Sequence, residues 1–150
     1  GEDLGEGLFA FPGWERLSKL SETDARKLGM GYRAKYLVGV AQFLCQRQGW
    51  LEEINGLNYK KARSCLMELP GVGPKVADCV LLFGAGKSQA FPIDTWILQA
   101  LERQYGMKRW TMQQMQEFAG IHFGQHAGLA QQFLFSFQRS VGQTKSVKKE

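Results

Sequence analysis

The sequence predicts an all-α fold, and three observations carry that prediction. Apolar residues recur at helical spacing along much of the chain, glycines and prolines gather only between those stretches, and sustained alternation of apolar and polar residues, the mark of a half-buried strand, is absent. With 150 residues, 44% of them hydrophobic, the chain fits one domain with an ordinary buried core.

The elements follow in order. In RAKYLVGVAQFLCQ, residues 33–46, Leu37, Val40, Ala41 and Leu44 fall at i, i+3, i+4 and i+7, which predicts an amphipathic helix. Ala62, Cys65, Leu66 and Leu69 repeat the spacing. Pro70 then stops that helix, because continuing it would lose a hydrogen bond and clash with the preceding turn, a cost of roughly 3 kcal/mol. Gly71 and Gly73 can take positive φ and bring bare backbone close to a ligand, and Pro74 has the fixed φ that suits the first turn of a new helix. Helix, LPGVGP turn and helix form a helix-hairpin-helix over about residues 58–83, a device that grips one DNA strand through its backbone without reading sequence; the alternative is a glycine-rich αα-corner used only for packing. The new helix start offers N–H groups and a positive pole to a phosphate. After FPID, Asp94 is a good N-cap, Ile97, Leu98 and Leu101 form the buried stripe, and Tyr105-Gly106 ends the helix. Two more helices cover residues 112–122 and 126–138. The expected organisation is a single helical domain over 1–141 and a basic, flexible tail over 142–150, with no internal repeat.

A net charge of +5 and a pI near 9.2 favour an anionic partner, although TKSVKKE at the end supplies part of the excess. Cys45, Cys65 and Cys79 match neither a disulfide framework nor a CxxC metal pattern and read as reduced thiols. No apolar run approaches the ~20 residues that span a bilayer, and GEDLGEG lacks the regions of a signal peptide, so an intracellular protein with no membrane partner is expected. His122 and His126 are interrupted by Gly124 and lack a third ligand, and GAGKSQ lacks the first half of a phosphate-binding loop.

The residue after the hairpin turn raises the question of chemistry. A cation in the first turn of a helix is electrostatically misplaced by ~0.3–1 kcal/mol. For Lys75 the helix pole and partial burial would favour the neutral amine, the nucleophilic form needed for a Schiff base. Lys75, Cys79 and Leu82 share one helical face at i, i+4 and i+7, and Asp78 points elsewhere. A phosphate-binding or solvated lysine explains Lys75 taken alone. Asp94, at the start of the next helix, suggests more: breaking an N-glycosidic bond passes through a positively charged sugar, which a carboxylate can stabilise while an amine attacks the anomeric carbon. Asp94 can cap its helix as well. Gln131, Phe135 and Gln138 also share one helical face, although Phe135 reads equally as a core aromatic beside Phe133, Leu134 and Phe137.

LPGVGPKVADC, residues 69–79, followed by FPIDTW, residues 91–96, resembles the helix-hairpin-helix DNA glycosylases with a Gly/Pro-rich loop and a catalytic aspartate. The lysine marks the bifunctional glycosylase/lyase branch. Within it, LGMGYRAKYL and AGLAQQFLFS resemble flanking segments of the 8-oxoguanine glycosylases, and the similarity runs over nearly all of residues 9–138. The resemblance implies Lys75 as nucleophile and Asp94 as its electrostatic partner. It implies that Cys79 and Phe135 stack on the two faces of an extruded base, that Gln131 reads its Watson–Crick edge, and that Tyr32 and Arg33 fill the gap and contact the opposite base. Gly71, Val72 and Gly73 would touch the DNA backbone, and the carbonyls of Met67, Leu69 and Val72 would hold a structural monovalent cation, K+ or Na+. No other cofactor is expected, and no iron–sulfur cluster, since no cysteine follows Cys79. The expected partner is double-stranded DNA containing an oxidised purine or an abasic site, bound by a DNA-associated monomer. Enzymes of this kind usually carry an N-terminal β-rich domain and early helices, none of which precedes Gly1, so the chain is expected to be part of a longer protein. Trp96 stands where eukaryotic-type enzymes often have a phosphate-contacting histidine, which suggests a bacterial or archaeal branch. Two alternatives stay open: a noncatalytic helix-hairpin-helix DNA-binding module, and a lyase for oxidised pyrimidines.

Overall fold

The computed structural model describes residues 1–147, with side chains as far as Val141. Where the sequence suggests one helical domain over 1–141, the chain divides into two compact units, Gly1–Leu57 with Ser64–Val72, and Asn58–Arg63 with the chain from Gly73 onward.

The first unit opens with a short ladder that periodicity did not predict. Strand β1 (Asp3–Gly5) pairs antiparallel with β2 (Leu8–Phe9), and Gly5, Glu6 and Gly7 turn the chain at positive φ. Every residue of these strands is exposed, so no buried face imposes alternation. Helices α1 (Trp14–Ser18) and α2 (Glu22–Ala25) follow, and both pack on α3 (Ala34–Gln46). Ala25, Ala34 and Ala41 are fully buried, which lets helices approach closely, while Leu17, Leu44, and Trp50 and Ile54 of α4 (Trp50–Gly56) supply bulk. Between α2 and α3 the backbone kinks at Gly29 (φ +83°) and tightens into a 3-10 turn at Gly31–Arg33. In the same unit the ring of Tyr36 lies on Gly71: a Cβ built at that glycine would fall 2.3 Å from the ring.

Helix α5 (Tyr59–Leu66) ends before the predicted Leu69. Its last carbonyls are taken by tighter bonds, Glu68 N–H to Cys65 O at 3.1 Å and Leu69 N–H to Leu66 O at 3.2 Å, the usual way of satisfying a helix end ahead of a proline.

The second unit contains α6 (Pro74–Cys79), a π-turn at Val80–Gly84, α7 (Thr95–Gln104), α8 (Met112–His122) and α9 (Ala127–Val147). Its core joins Phe91 and Ile93 to Ile97, Ala100 and Leu101 of α7, Met115 and Ala119 of α8, and Ala127 and Leu134 of α9. Each large side chain buried there contributes roughly 1.5–3 kcal/mol relative to exposure. Gly128 brings the start of α9 against the preceding loop. Its N–H donates to Ser88 O at 2.7 Å, and a Cβ would meet Leu82 Cδ1 at 2.3 Å. The helix predicted to end at 138 continues, so the segment expected as a tail from 142 is helical as far as Val147; residues 148–150 lie outside the described residues. Among the described residues no helix is long and apolar enough to cross a membrane, and no three His, Cys, Asp or Glu side chains are grouped to hold a metal ion. His122 instead stacks on Phe118 at 4.8 Å.

Candidate active site

The hairpin turn uses its two glycines differently. Gly71 has φ +75° and no room for a side chain beneath Tyr36, so the fold itself requires glycine there. Gly73, expected to share that conformational role, is extended (φ −94°, ψ −178°), and a Cβ on it would meet nothing within 4 Å. Its place is an open approach to bare backbone. Gly73 is also the N-cap of α6, where it offers no side-chain hydrogen bond, and Pro74 occupies the first helical position as expected.

Lys75 follows and is exposed, where partial burial had been expected. With Pro74, Arg63, Ile93, Met112, Gln113 and Gln116 it lines a cleft of ≈ 330 Å³ in the second unit. Cys79, one turn on, is half-buried with a free thiol. Leu82 does not continue that face. The helix widens at Val80–Gly84, which breaks the predicted i, i+4, i+7 register, and Leu82 turns toward Gly128. Asp94 follows Ile93 of the cleft wall, is half-buried, and caps α7: its Oδ1 accepts the Ile97 N–H at 2.8 Å.

Asp78, expected to point away from Lys75, does not line the cleft, and its carboxylate is hydrogen-bonded behind it. The side chain is 0% exposed. Oδ1 accepts the Tyr59 hydroxyl at 2.8 Å and Arg63 Nε at 2.7 Å, and Oδ2 accepts Arg63 Nη2 at 3.3 Å and Gln116 Nε2 at 3.0 Å. Gln116 Nε2 also donates to Phe91 O at 2.9 Å. Burial, and then the hydrogen bond to Asp78, push the Tyr59 hydroxyl well above its ordinary value. Burial works against the Arg63 charge, but the hydrogen bond and charge of Asp78 more than offset it. Sequence reasoning missed Tyr59, Arg63 and Gln116. The available signal was Tyr59 and Arg63 at i and i+4 on α5, one turn apart and able to share a carboxylate.

On α9, Gln131 is 4% exposed; its Nε2 donates to Pro92 O at 3.1 Å, and its Oε1 accepts from Gln132 Nε2. Gln138, on the same face as predicted, is also buried and bonds Gln99. Phe135 packs partly buried against the core with the Arg139 guanidinium 5.6 Å from its ring centre, while Phe133 and Phe137 are exposed. Lys75, Cys79, Asp94, Gln131 and Phe135 therefore all belong to the second unit. Tyr32, Arg33, Gly71 and Val72 belong to the first. Gly29 (φ +83°) and Gly31 (φ +54°) bring Tyr32 and Arg33 out to solvent, the Arg33 guanidinium 5.4 Å from the Tyr32 ring centre. Of the three hairpin carbonyls, that of Leu69 already accepts the Val72 N–H at 3.1 Å and keeps a second lone pair. Neutral backbone oxygens of this kind suit a hard cation.

A family model of the HhH-GPD superfamily of base excision DNA repair proteins matches residues 3–121, across the hairpin, Lys75 and Asp94. The chain belongs to this superfamily. Among HhH-GPD relatives, a probable N-glycosylase/DNA lyase of Methanothermobacter thermautotrophicus is 39% identical over 125 residues, covering 83% of this chain and 40% of the relative. The N-glycosylase/DNA lyase OGG1 of Arabidopsis thaliana is 43% identical over 93 residues, 59% of this chain and 26% of that protein. The crystal structure of the Clostridium acetobutylicum 8-oxoguanine glycosylase/lyase, in complex with double-stranded DNA containing cytosine opposite 8-oxoG, superimposes with a TM-score of 0.87 at 35% identity, over 94% of this chain and 49% of that one. The all-α expectation holds as the helical HhH-GPD fold, with the short N-terminal ladder added. The chain spans less than half the length of these relatives.

Proposed function

We propose that this chain carries the catalytic helical region of a bifunctional DNA glycosylase/AP lyase that excises 8-oxoguanine from duplex DNA. The observation that carries the proposal is Lys75 exposed on a cleft, two residues after the open backbone of Gly73, with Ile93 in the same cleft wall and Asp94 next in the chain. In this reading the Lys75 amine on the cleft forms the bond, and the Asp94 carboxylate, next in the chain to Ile93 of the cleft wall, stabilises the charge. The names of the relatives support the lesion and both activities.

In the proposed reaction the Lys75 amine attacks C1′ of the flipped nucleotide as the C1′–N9 bond breaks, and the electron pair leaves with the purine, which takes up the proton that Nζ sheds. The Asp94 carboxylate stabilises the positive charge that develops on the sugar. The sugar ring then opens as O4′ takes a proton, leaving a Schiff base between C1′ and Nζ. Removal of a C2′ proton lets the C3′–O bond break, which expels the 3′ phosphate and cleaves the strand. Cys79 and Phe135 would stack on the base. Gln131 would read its edge after exchanging the Pro92 carbonyl for the base, and Tyr32 and Arg33 would fill the vacated gap. Gly71, Val72 and Gly73 would present backbone to the strand, with a monovalent cation on the carbonyls of Met67, Leu69 and Val72. The protein would act as a DNA-associated monomer on lesion or abasic duplex.

Borohydride trapping tests the proposal, using one duplex with 8-oxoguanine opposite cytosine, one with an abasic site, and Lys75→Gln as control. Adducts on both duplexes, lost in the control, are expected. Trapping on the abasic duplex alone would keep the lyase and remove the lesion assignment. Trapping on an oxidised pyrimidine alone would reassign the substrate. Duplex binding without any adduct would leave a binding module.

A further inference from the structure

Resting on the lysine mechanism just proposed, we infer that Asp78 and Gln116 are positioning residues that fix the distance between the nucleophile and the aspartate. Asp78 lies one turn after Lys75 on the same short helix, and Phe91 lies three residues before Asp94. The Gln116 side-chain nitrogen spends one proton on Asp78 Oδ2 and the other on Phe91 O, so a single amide ties the lysine helix to the segment that delivers Asp94. Its orientation is forced. Turned over, its oxygen would face the Asp78 carboxylate and the Phe91 carbonyl, two acceptors with no proton between them. The other end of the tie is equally fixed, because Tyr59 and Arg63 hold the Asp78 carboxylate with three further hydrogen bonds.

The place of this tie matters because Ala77 and Asp78 are the buried residues of α6. The helix has six residues and no side-chain cap at its start, and a widened turn follows it. Phe91 itself is 1% exposed in the core, so the far end of the tie is anchored. Arg63 and Gln116 also line the cleft with Lys75, which places the tie along the recess where the sugar would sit.

The decisive variant is Gln116→Met, which keeps the length of the side chain and removes both hydrogen bonds while leaving Asp78 paired to Tyr59 and Arg63. Its trapping rate at saturating abasic duplex is measured in single turnover, beside duplex affinity and melting temperature. A roughly tenfold slower rate is expected, with affinity within about twofold of the parent, as misplacement of a reacting group acts on rate. The same substitution is then made in an Asp94→Asn chain, where it should change the rate by less than about twofold, because a separation from an absent carboxylate no longer matters. Asp78→Asn, which turns a donor toward Gln116, should behave like Gln116→Met. An unchanged rate in Gln116→Met, or the same fractional loss with and without the Asp94 carboxylate, would overturn the inference and leave the lysine mechanism standing. A parent chain that forms no adduct would overturn both.

Discussion

Helix α6 begins on Gly73, without a side-chain cap and with a lysine in its first turn, whereas α7 begins on Asp94, whose carboxylate takes the Ile97 N–H at 2.8 Å. The second arrangement is what a stable helix start calls for, an acceptor on the free amides and a negative charge at the positive pole. The first omits the cap and reverses the charge. It is stabilised from behind, by a buried carboxylate on its inner face held by α5 and α8. Stability at α6 has thus been moved off the helix start, which leaves that start free for a ligand, while at α7 one carboxylate can serve both the fold and the chemistry. The two starts should answer differently to substitution.

The largest effect is expected at Lys75. Lys75→Gln should lower adduct formation by at least ~10³-fold, as removal of a nucleophile does, with the melting curve unchanged within about 0.5 kcal/mol because the side chain is exposed. A melting loss comparable to that of a core variant would show that Lys75 belongs to the fold. Asp78→Ala comes next and should do the reverse in kind. Leaving Arg63 beside an empty site costs about 3–5 kcal/mol for a buried pair, and the lower end is expected since the Arg63 side chain is 25% exposed. Thermal or urea unfolding measures it, and a cost under about 1 kcal/mol would remove the buried carboxylate as the support of α6.

At the other start, activity and stability should separate by choice of side chain. Asp94→Asn keeps a good cap and should melt like the parent, yet lose about 10²-fold in adduct rate with the charge. Asp94→Ala should show the same rate loss together with about 1 kcal/mol of stability. Equal rates for Asn and Asp would reduce Asp94 to a cap. The hairpin glycines give a smaller contrast. Gly71→Ala forces a side chain into a left-handed position under the Tyr36 ring and should cost about 1–3 kcal/mol. Gly73→Ala, extended and open, should cost within about 0.5 kcal/mol and show its effect in duplex affinity instead.

How much of this was legible in the sequence follows from what each signal encodes. α3, α5 and α7 were found because a one-sided apolar stripe reports directly on a buried face, and the capping role of Asp94 because a cap is a local pattern. The hairpin was legible through Pro70 and Pro74, whose constraints act on their immediate neighbours. The N-terminal ladder was not, since its strands are exposed and too short to alternate. The tie through Asp78 was missed for a different reason. It joins residues 59, 63, 78, 91 and 116, and a hydrogen bond between distant residues leaves no periodic trace. The π-turn after Cys79 hid from the pattern too, because periodicity assumes the regular helix that the turn breaks.

A third helix start supplies the smallest test. α2 is capped by Ser21, whose Oγ accepts the Asp24 N–H at 3.0 Å, and Asp24 sits in the first turn with its carboxylate on the Ser21 hydroxyl at 2.7 Å and on Lys27 at 3.0 Å. The Ser21 hydrogen bond first, and then Lys27, lower the Asp24 carboxyl from its ordinary value of 3.8. A carboxylate whose folded value is depressed contributes stability above the unfolded value and loses it as pH falls through the folded one. The parent chain should therefore lose a small increment of stability below about pH 3.8 that an Asp24→Asn chain never had. The difference between their acid unfolding curves isolates this one group from the other carboxylates. The increment should shrink in 1 M salt, where screening reaches within ~3 Å, because Asp24 and Lys27 are both well exposed. An increment as large as that of Asp94→Ala would mean that an exposed cap does as much as a half-buried one, and the distinction drawn between the starts of α6 and α7 would then rest on charge alone.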